Sequence, residues 1–201
     1  SFAQSQLSDP SGLPLSTRLL NACHQRLMAG ARGKNASPGE IRRSQNWIGG
    51  SSPGRATFVP PPPNRVADLL SNLEAFMHAE DDMSPVVRAG LLHAQFETIH
   101  PYLDGNGRIG RLLIALVLQA RGVLSRPLLY VSHYLKRNRL EYYDRLNAVR
   151  NNGDWEGWMR FFIEGVRWVA DEAVSAVREL ASIVAEDRRD LLGVAATSVV
   201  A

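Results

Sequence analysis

The feature that most constrains this chain is the run Ile99-His-Pro-Tyr-Leu-Asp-Gly-Asn-Gly-Arg-Ile-Gly-Arg111, set between two apolar stripes of helical period. Upstream, Ser84–Pro85 opens a helix with proline at its first helical position, and Leu91, Leu92, Phe96 and Ile99 recur at helical spacing. That helix must stop at His100, because Pro101 disfavours the helical conformation at the residue before it. Downstream, Leu112, Leu113, Leu116 and Val117 restart the period from Gly107 or Arg108 and run to Gly122. The centre of the chain is therefore helix, short loop, helix.

The remaining patterns are also helical, which predicts an all-α domain. Ser16 caps a helix carrying Leu19, Leu20, Cys23 and Leu27 that ends near Gly30, and Asn64 caps one carrying Val66, Leu69, Leu70, Leu73, Phe76 and Met77. A helix over about 132–147 follows, then a last one from an Asp154 cap through Trp155, Trp158, Phe161, Phe162 and Val166 to about Leu191. Between them lies a long irregular stretch from Ala31 to about Asn64, and loops of such length in a compact domain tend to be functional. Within it, Asn46–Ile48 and Ala56–Val59 flank a Gly/Ser/Pro turn, which predicts a short β-hairpin.

Composition excludes several classes. In 201 residues, 23 Lys and Arg against 20 Asp and Glu give a net charge of only +3, which does not argue for direct nucleic-acid binding. The longest apolar run, Leu112 to Leu118, is far short of the roughly 18–20 residues that span a bilayer. The single cysteine, Cys23, reads as a small core residue and rules out an internal disulfide, so a reducing, cytoplasmic setting is expected.

The loop Asp104–Gly107 carries the chemistry. Its glycines reach positive φ at little cost and expose successive backbone N–H groups at a helix N-terminus, where orphan donors and the macrodipole favour an anion. Arg108 and Arg111 fall in the first turn of that helix, where two cations oppose the macrodipole by about 0.3–1 kcal/mol each. A polyphosphate docked on the loop compensates, since guanidinium groups bind phosphate oxygens in a bidentate manner. Asp104 is placed to hold Mg²⁺, which takes one or two carboxylates plus phosphate oxygens and water. His100, at the loop entrance, is placed to accept a proton from an attacking hydroxyl.

Blander readings exist for each residue alone. A histidine at a helix end is often a cap, Asp-Gly and Asn-Gly are common turn formers, and arginines are often solvated. A calcium loop matches Asp104 to Ile109 in its middle, but its first ligand position would be Tyr102 and its twelfth Leu113, neither of them a ligand type. The conjunction of base, carboxylate, anion cradle and paired cations is what points to nucleotide chemistry.

At these residues the chain resembles the Fic family, whose signature is H-x-F-x-[D/E]-G-N-G-R-x-x-R; the departure is Tyr102 in place of phenylalanine. Ile41–Gly50 and Phe58–Pro63 resemble the family's flap and its exit. Tyr142–Leu146 and the Asn151–Gly153 turn resemble the segment around the nucleotide base. The resemblance implies the Fic fold, a helical bundle with a β-hairpin flap over the active site, and transfer of AMP from ATP to a Ser, Thr or Tyr hydroxyl of a target protein. It implies His100 as general base, Asp104 as the Mg²⁺ (or Mn²⁺) ligand, and Gly105, Asn106 and Gly107 as the anion hole. Arg108 and Arg111 lie on the phosphates, Ile109 and Gly110 complete the nucleotide-binding run, and Tyr143 and Asn151 are candidates for the adenine and ribose side. Ile48, Gly49 and Gly50 register an extended target segment by main-chain pairing.

The domain layout expected from this resemblance is a leader over 1–14, a core over 15–170 with its flap at about 46–60 and catalytic loop at 100–111, and a helical extension over 171–201. Many relatives carry an inhibitory helix bearing [S/T]-x-x-x-E-[G/N]. Ser182 to Asp187 comes nearest here, but Asp187 stands where Gly or Asn is required. The inhibitory element then lies upstream of Ser1, on a partner such as an antitoxin, or nowhere. Homodimerisation through exposed helix faces stays open. Same-fold alternatives are removal of AMP and transfer of phosphate or phosphocholine; a non-catalytic nucleotide-sensing module is the alternative of another class.

Overall fold

The computed structural model describes residues 2–9, 11–29, 37–124 and 130–198. Among these the architecture is all-α, as the periodicity predicts. The helices are α1 (Phe2–Ser8), α2 (Thr17–Leu27), α3 (Pro63–His78), α4 (Pro85–Ile99), α5 (Asn106–Ala120), α6 (Val131–Arg137), α7 (Arg139–Asn152) and α8 (Trp155–Ser198).

α4 is the axis of the bundle, packed by α3, α5, α7 and α8. Ala89, Leu92, Ala94, Phe96 and Ile99 are buried on it together with the polar Arg88, His93 and Glu97, so burial extends around the helix. α8 closes one side with Trp158 and Phe162, both fully buried, each worth roughly 1.5–3 kcal/mol of transfer free energy. The Trp158 indole Nε1–H donates to the Gly90 carbonyl at 3.0 Å, which satisfies its polar edge inside the core.

Several helix ends follow the sequence and others shift. The Ser16 hydroxyl accepts the Leu19 N–H at 3.3 Å, and Asp154 Oδ1 accepts the Gly157 N–H at 2.9 Å, so both expected caps are present. α3 starts at Pro63, before the Asn64 cap, because the fixed φ of proline suits the first turn. The helix expected over 132–147 is two helices, α6 and α7, the second running on to Asn152. They part at Asn138 (φ −103°, ψ 41°), whose Nδ2 donates to the Tyr134 carbonyl at 3.1 Å beside its own N–H at 2.9 Å. α8 continues unbroken past Leu191, and along its outer half Val174, Val177, Leu180, Ile183 and Val184 are exposed. α2, expected to end near Gly30, stops at Leu27 with Met28 as its C-cap, and the side chain of Glu186 lies outside the described residues. Within the stretch expected as a leader over 1–14, α1 is helical, buries Ala3 and packs on α2 and α5.

In place of the expected β-hairpin there is a single antiparallel bridge, Ile48 to Phe58, with no strand on either side. The Ile48 N–H donates to the Phe58 carbonyl at 2.9 Å, and the Ile48 carbonyl accepts from both Thr57 and Phe58. The ladder goes no further because Gly49 and Gly50 both adopt positive φ and Pro53–Arg55 forms a 3₁₀ turn on one side of the bridge. On the other, Pro60–Pro63 offer no N–H donors.

Candidate active site

The loop between α4 and α5 is held from three directions. α4 ends with His100 in the left-handed region at φ 50°, ψ 61°, a conformation costing a non-glycine residue about 1–2 kcal/mol. Arg42, itself buried, keeps it there: its Nε–H donates to the His100 carbonyl at 2.9 Å, and its other donors reach the carbonyls of Ile99, Ser44 and Pro61. Asn46 Nδ2 donates to the carbonyls of His100 and Tyr102 at 3.3 and 3.0 Å, so the segment leading into the flap is stitched to the loop.

From α2, His24 stacks on Tyr102 with ring centroids 3.9 Å apart and an interplanar angle of 5°. Its Nδ1 accepts the Gly39 N–H at 2.9 Å, which leaves Nε2–H to donate to the Asp104 carbonyl at 3.0 Å. Burial lowers its pKa, consistent with the neutral tautomer. Tyr102, where the signature has phenylalanine, is buried and its hydroxyl donates to Asn21 Oδ1 at 2.8 Å. Asn106 closes the turn by bonding both backbone groups of Tyr102.

What remains faces a cleft of about 260 Å³ lined by His100, Leu103, Asp104, Gly105, Asn106, Gly107, Arg108, Arg111 and Tyr143. Gly105 sits at φ +82° and its N–H is taken by Asp104 Oδ1 at 2.6 Å. The N–H groups of Asn106 and Gly107 have no protein partner among the described residues, so the open donors at the start of α5 are these two. Asp104 is largely exposed, its Oδ2 3.6 Å from Arg108 Nη2. The Arg111 guanidinium makes no hydrogen bond among the described residues. Two cations and two free N–H groups around one cavity form an anion site. Among the described residues no group of three or more His, Cys, Asp or Glu side chains gathers for a metal. A single exposed carboxylate beside an anion site suits Mg²⁺ shared with a phosphate.

His100 is mostly buried and desolvation drives its pKa down to about 4, so the imidazole is neutral at pH 7. Its Nδ1 lies 3.3 Å from the Glu97 carbonyl, which places the proton on Nδ1 and leaves Nε2 as the acceptor. Arg150 of α7 donates to that same carbonyl at 3.0 Å and lies over the Phe58 ring at 4.2 Å, linking loop and flap.

Of the residues singled out from sequence, the cleft gathers His100, Asp104, Gly105, Asn106, Gly107, Arg108, Arg111 and Tyr143. Ile109 and Gly110 are buried behind it, and Ile48, Gly49, Gly50 and Asn151 do not line it. Sequence reasoning missed His24, Arg42, Asn46, Glu97 and Arg150. Glu97 alone left a signal, three residues before His100 on one helical face.

The sequence model of the Fic/DOC family matches residues 14–118. The chain belongs to that family. It is similar to a protein adenylyltransferase Fic of Culex quinquefasciatus, 35% identical over 71% of this chain and 26% of that protein. A namesake in Aedes aegypti is 33% identical over the same shares. The chain thus spans about a quarter of the length of these curated relatives. A solved Fic family protein from Desulfovibrio desulfuricans G20 superposes with a TM-score of 0.71 at 26% identity, over 87% of this chain and 51% of that one. Fic-1 from C. elegans superposes with a TM-score of 0.66 at 23% identity, over 89% and 48%. The matched Fic/DOC region runs from before α2 to Leu118 of α5 and therefore includes the whole loop between α4 and α5.

Proposed function

We propose that this Fic core transfers AMP from ATP to a hydroxyl side chain of a target protein. The observation that carries the reading is the cleft itself: a neutral, mostly buried His100 faces two free backbone N–H groups, two arginines and one exposed carboxylate. The adenylyltransferase names of relatives at 33–35% identity support it.

In this scheme the N–H groups of Asn106 and Gly107 and the guanidinium groups of Arg108 and Arg111 bind the phosphates and place the α-phosphorus near His100. Asp104 would hold Mg²⁺, which when bound supplies charge neutralisation across the phosphates. His100 Nε2 takes the hydroxyl proton, the hydroxyl oxygen forms a bond to the α-phosphorus, and the bond to the bridging oxygen breaks. Pyrophosphate leaves with the electron pair. Tyr143, half-exposed at the mouth of the cleft, offers a ring face to the base, and the segment around the Ile48–Phe58 bridge meets the target chain. The single cysteine favours a cytoplasmic setting.

The test is isotopic. With ATP labelled on either the α- or the γ-phosphate, the α-label is expected to become protein-bound and the γ-label is not. Incorporation of the γ-label alone contradicts AMP transfer.

A further inference from the structure

Glu97 has no part in the scheme above, yet it is the buried carboxylate among the described residues, 5% exposed on α4 one turn before His100. Its Oε1 has no hydrogen-bond partner among them. Its Oε2 lies 3.9 Å from His100 Nδ1, the same nitrogen its backbone carbonyl approaches at 3.3 Å. The space for the carboxylate is made by Gly110 of α5, where a Cβ would collide with Oε1.

The groups facing it are His100 at the end of α4, Arg111 from α5, and Arg150 and Tyr142 from α7. Neither arginine forms an ion pair with it among the described residues. A buried carboxylate with unused acceptor capacity is destabilising unless its charge is called on elsewhere. Burial raises its pKa to about 7 and lowers that of His100 to about 4, so each charged form is penalised alone and the two charges favour one another.

We propose that the Glu97 carboxylate is the positioning group of His100: its charge beside Nδ1 reinforces the tautomer set by the Glu97 carbonyl, with Nε2 toward the cleft, and stabilises the imidazolium that forms when the target hydroxyl gives up its proton. The proton stays on the imidazole, and Glu97 neither gains nor loses one in the step. This role rests on the AMP-transfer reading.

The experiment compares the full chain with Glu97→Gln, which keeps the shape and removes the charge, and with Glu97→Asp. The rate of AMP incorporation into the chain itself is followed against ATP–Mg²⁺ concentration and pH. Glu97→Gln is expected to lower the saturating rate about 100-fold, within the range of a general base's contribution, with half-saturation by ATP unchanged. The parent rate is expected to rise with pH through about 7, where Glu97 ionises, and that rise disappears in Glu97→Gln. Glu97→Asp restores part of the rate.

Nitrogen NMR of the His100 imidazole in the ATP-free protein is the arm that does not depend on activity. An inflection near pH 7 is expected in the parent and lost in Glu97→Gln. An unchanged rate with an unchanged pH profile in Glu97→Gln overturns the role. If the parent incorporates no AMP, the transfer reading fails and the NMR arm decides: the inflection upholds the Glu97–His100 coupling, and identical titrations overturn it.

Discussion

Asn106 bonds both backbone groups of Tyr102: its Oδ1 accepts the Tyr102 N–H at 2.8 Å, and its Nδ2 donates at 2.7 Å to the Tyr102 carbonyl, which Asn46 Nδ2 also reaches at 3.0 Å. Its side chain is buried and turned into the loop, so only its backbone N–H is available to an anion. The asparagine of the signature therefore sets the shape of the cradle by standing in for an absent stretch of backbone.

Asn106→Ala leaves the buried Tyr102 N–H unsatisfied, at about 1–3 kcal/mol, while the carbonyl keeps its bond from Asn46. A loss of about 2 kcal/mol, or about 4–8 °C in Tm for a domain of this size, is expected by thermal unfolding. Asn106→Asp keeps the acceptor but not the donor, and should fall between the two.

Gly110→Ala drives a Cβ into Glu97 Oε1 and to 3.1 Å from Phe96 Cδ1. The expected destabilisation is about 1–3 kcal/mol, as for other overpacked cores. In a Glu97→Ala background most of it should vanish, so denaturant unfolding of the double-mutant cycle should show a coupling of at least about 1 kcal/mol. Strict additivity would mean that the carboxylate yields to the methyl group.

Stability should fall with acid, and the sign follows from the buried groups. His93 and His100 have folded-state pKa values of about 4, and that of His24 is also lowered. Between about pH 6.5 and 4.5 the unfolded chain binds these protons and the folded one does not, so stability is lost as pH falls. Glu97, raised to about 7, works the other way: the folded state holds its proton where the unfolded chain has released it. Glu97→Gln should therefore steepen the acid loss by up to about 1.4 kcal/mol per pH unit, measured by urea unfolding across that window.

Arg111→Lys tests the anion site. Lysine keeps the charge but not the planar fork. ATP–Mg²⁺ affinity is expected to drop about 10-fold or more by calorimetric titration, in line with about 1.5–3 kcal/mol for a charge-assisted hydrogen bond. Thermal stability should stay put, because among the described residues the guanidinium makes no hydrogen bond.

How much of this was legible in the sequence depends on range. Helices with an apolar stripe and a local cap were readable, as were the Pro101 stop and the glycine turn, because each is decided within a few residues. The residues that line the cleft were readable for the same reason: histidine, carboxylate, glycine turn and arginines fall within the twelve residues from His100 to Arg111. What holds the loop was not. Arg42 and Asn46 sit in an irregular segment with no period to reveal burial, and His24 lies on a helix facing a loop some 80 residues away. The hairpin expectation failed where competing turn residues and prolines outweighed a β-favouring composition. The α6–α7 break was hidden because Asn138 is an ordinary residue in a helical pattern until its side chain turns back onto the Tyr134 carbonyl.

The central claim, that this cleft moves AMP with His100 as its base, is tested most directly by intact-mass and peptide mass spectrometry after incubation with ATP–Mg²⁺, beside a His100→Ala control. The account predicts an AMP-sized addition on a hydroxyl residue of the parent chain and none on the control, with ATP binding retained in both. An equal AMP addition in His100→Ala, or a phosphate-sized addition in the parent, would contradict it.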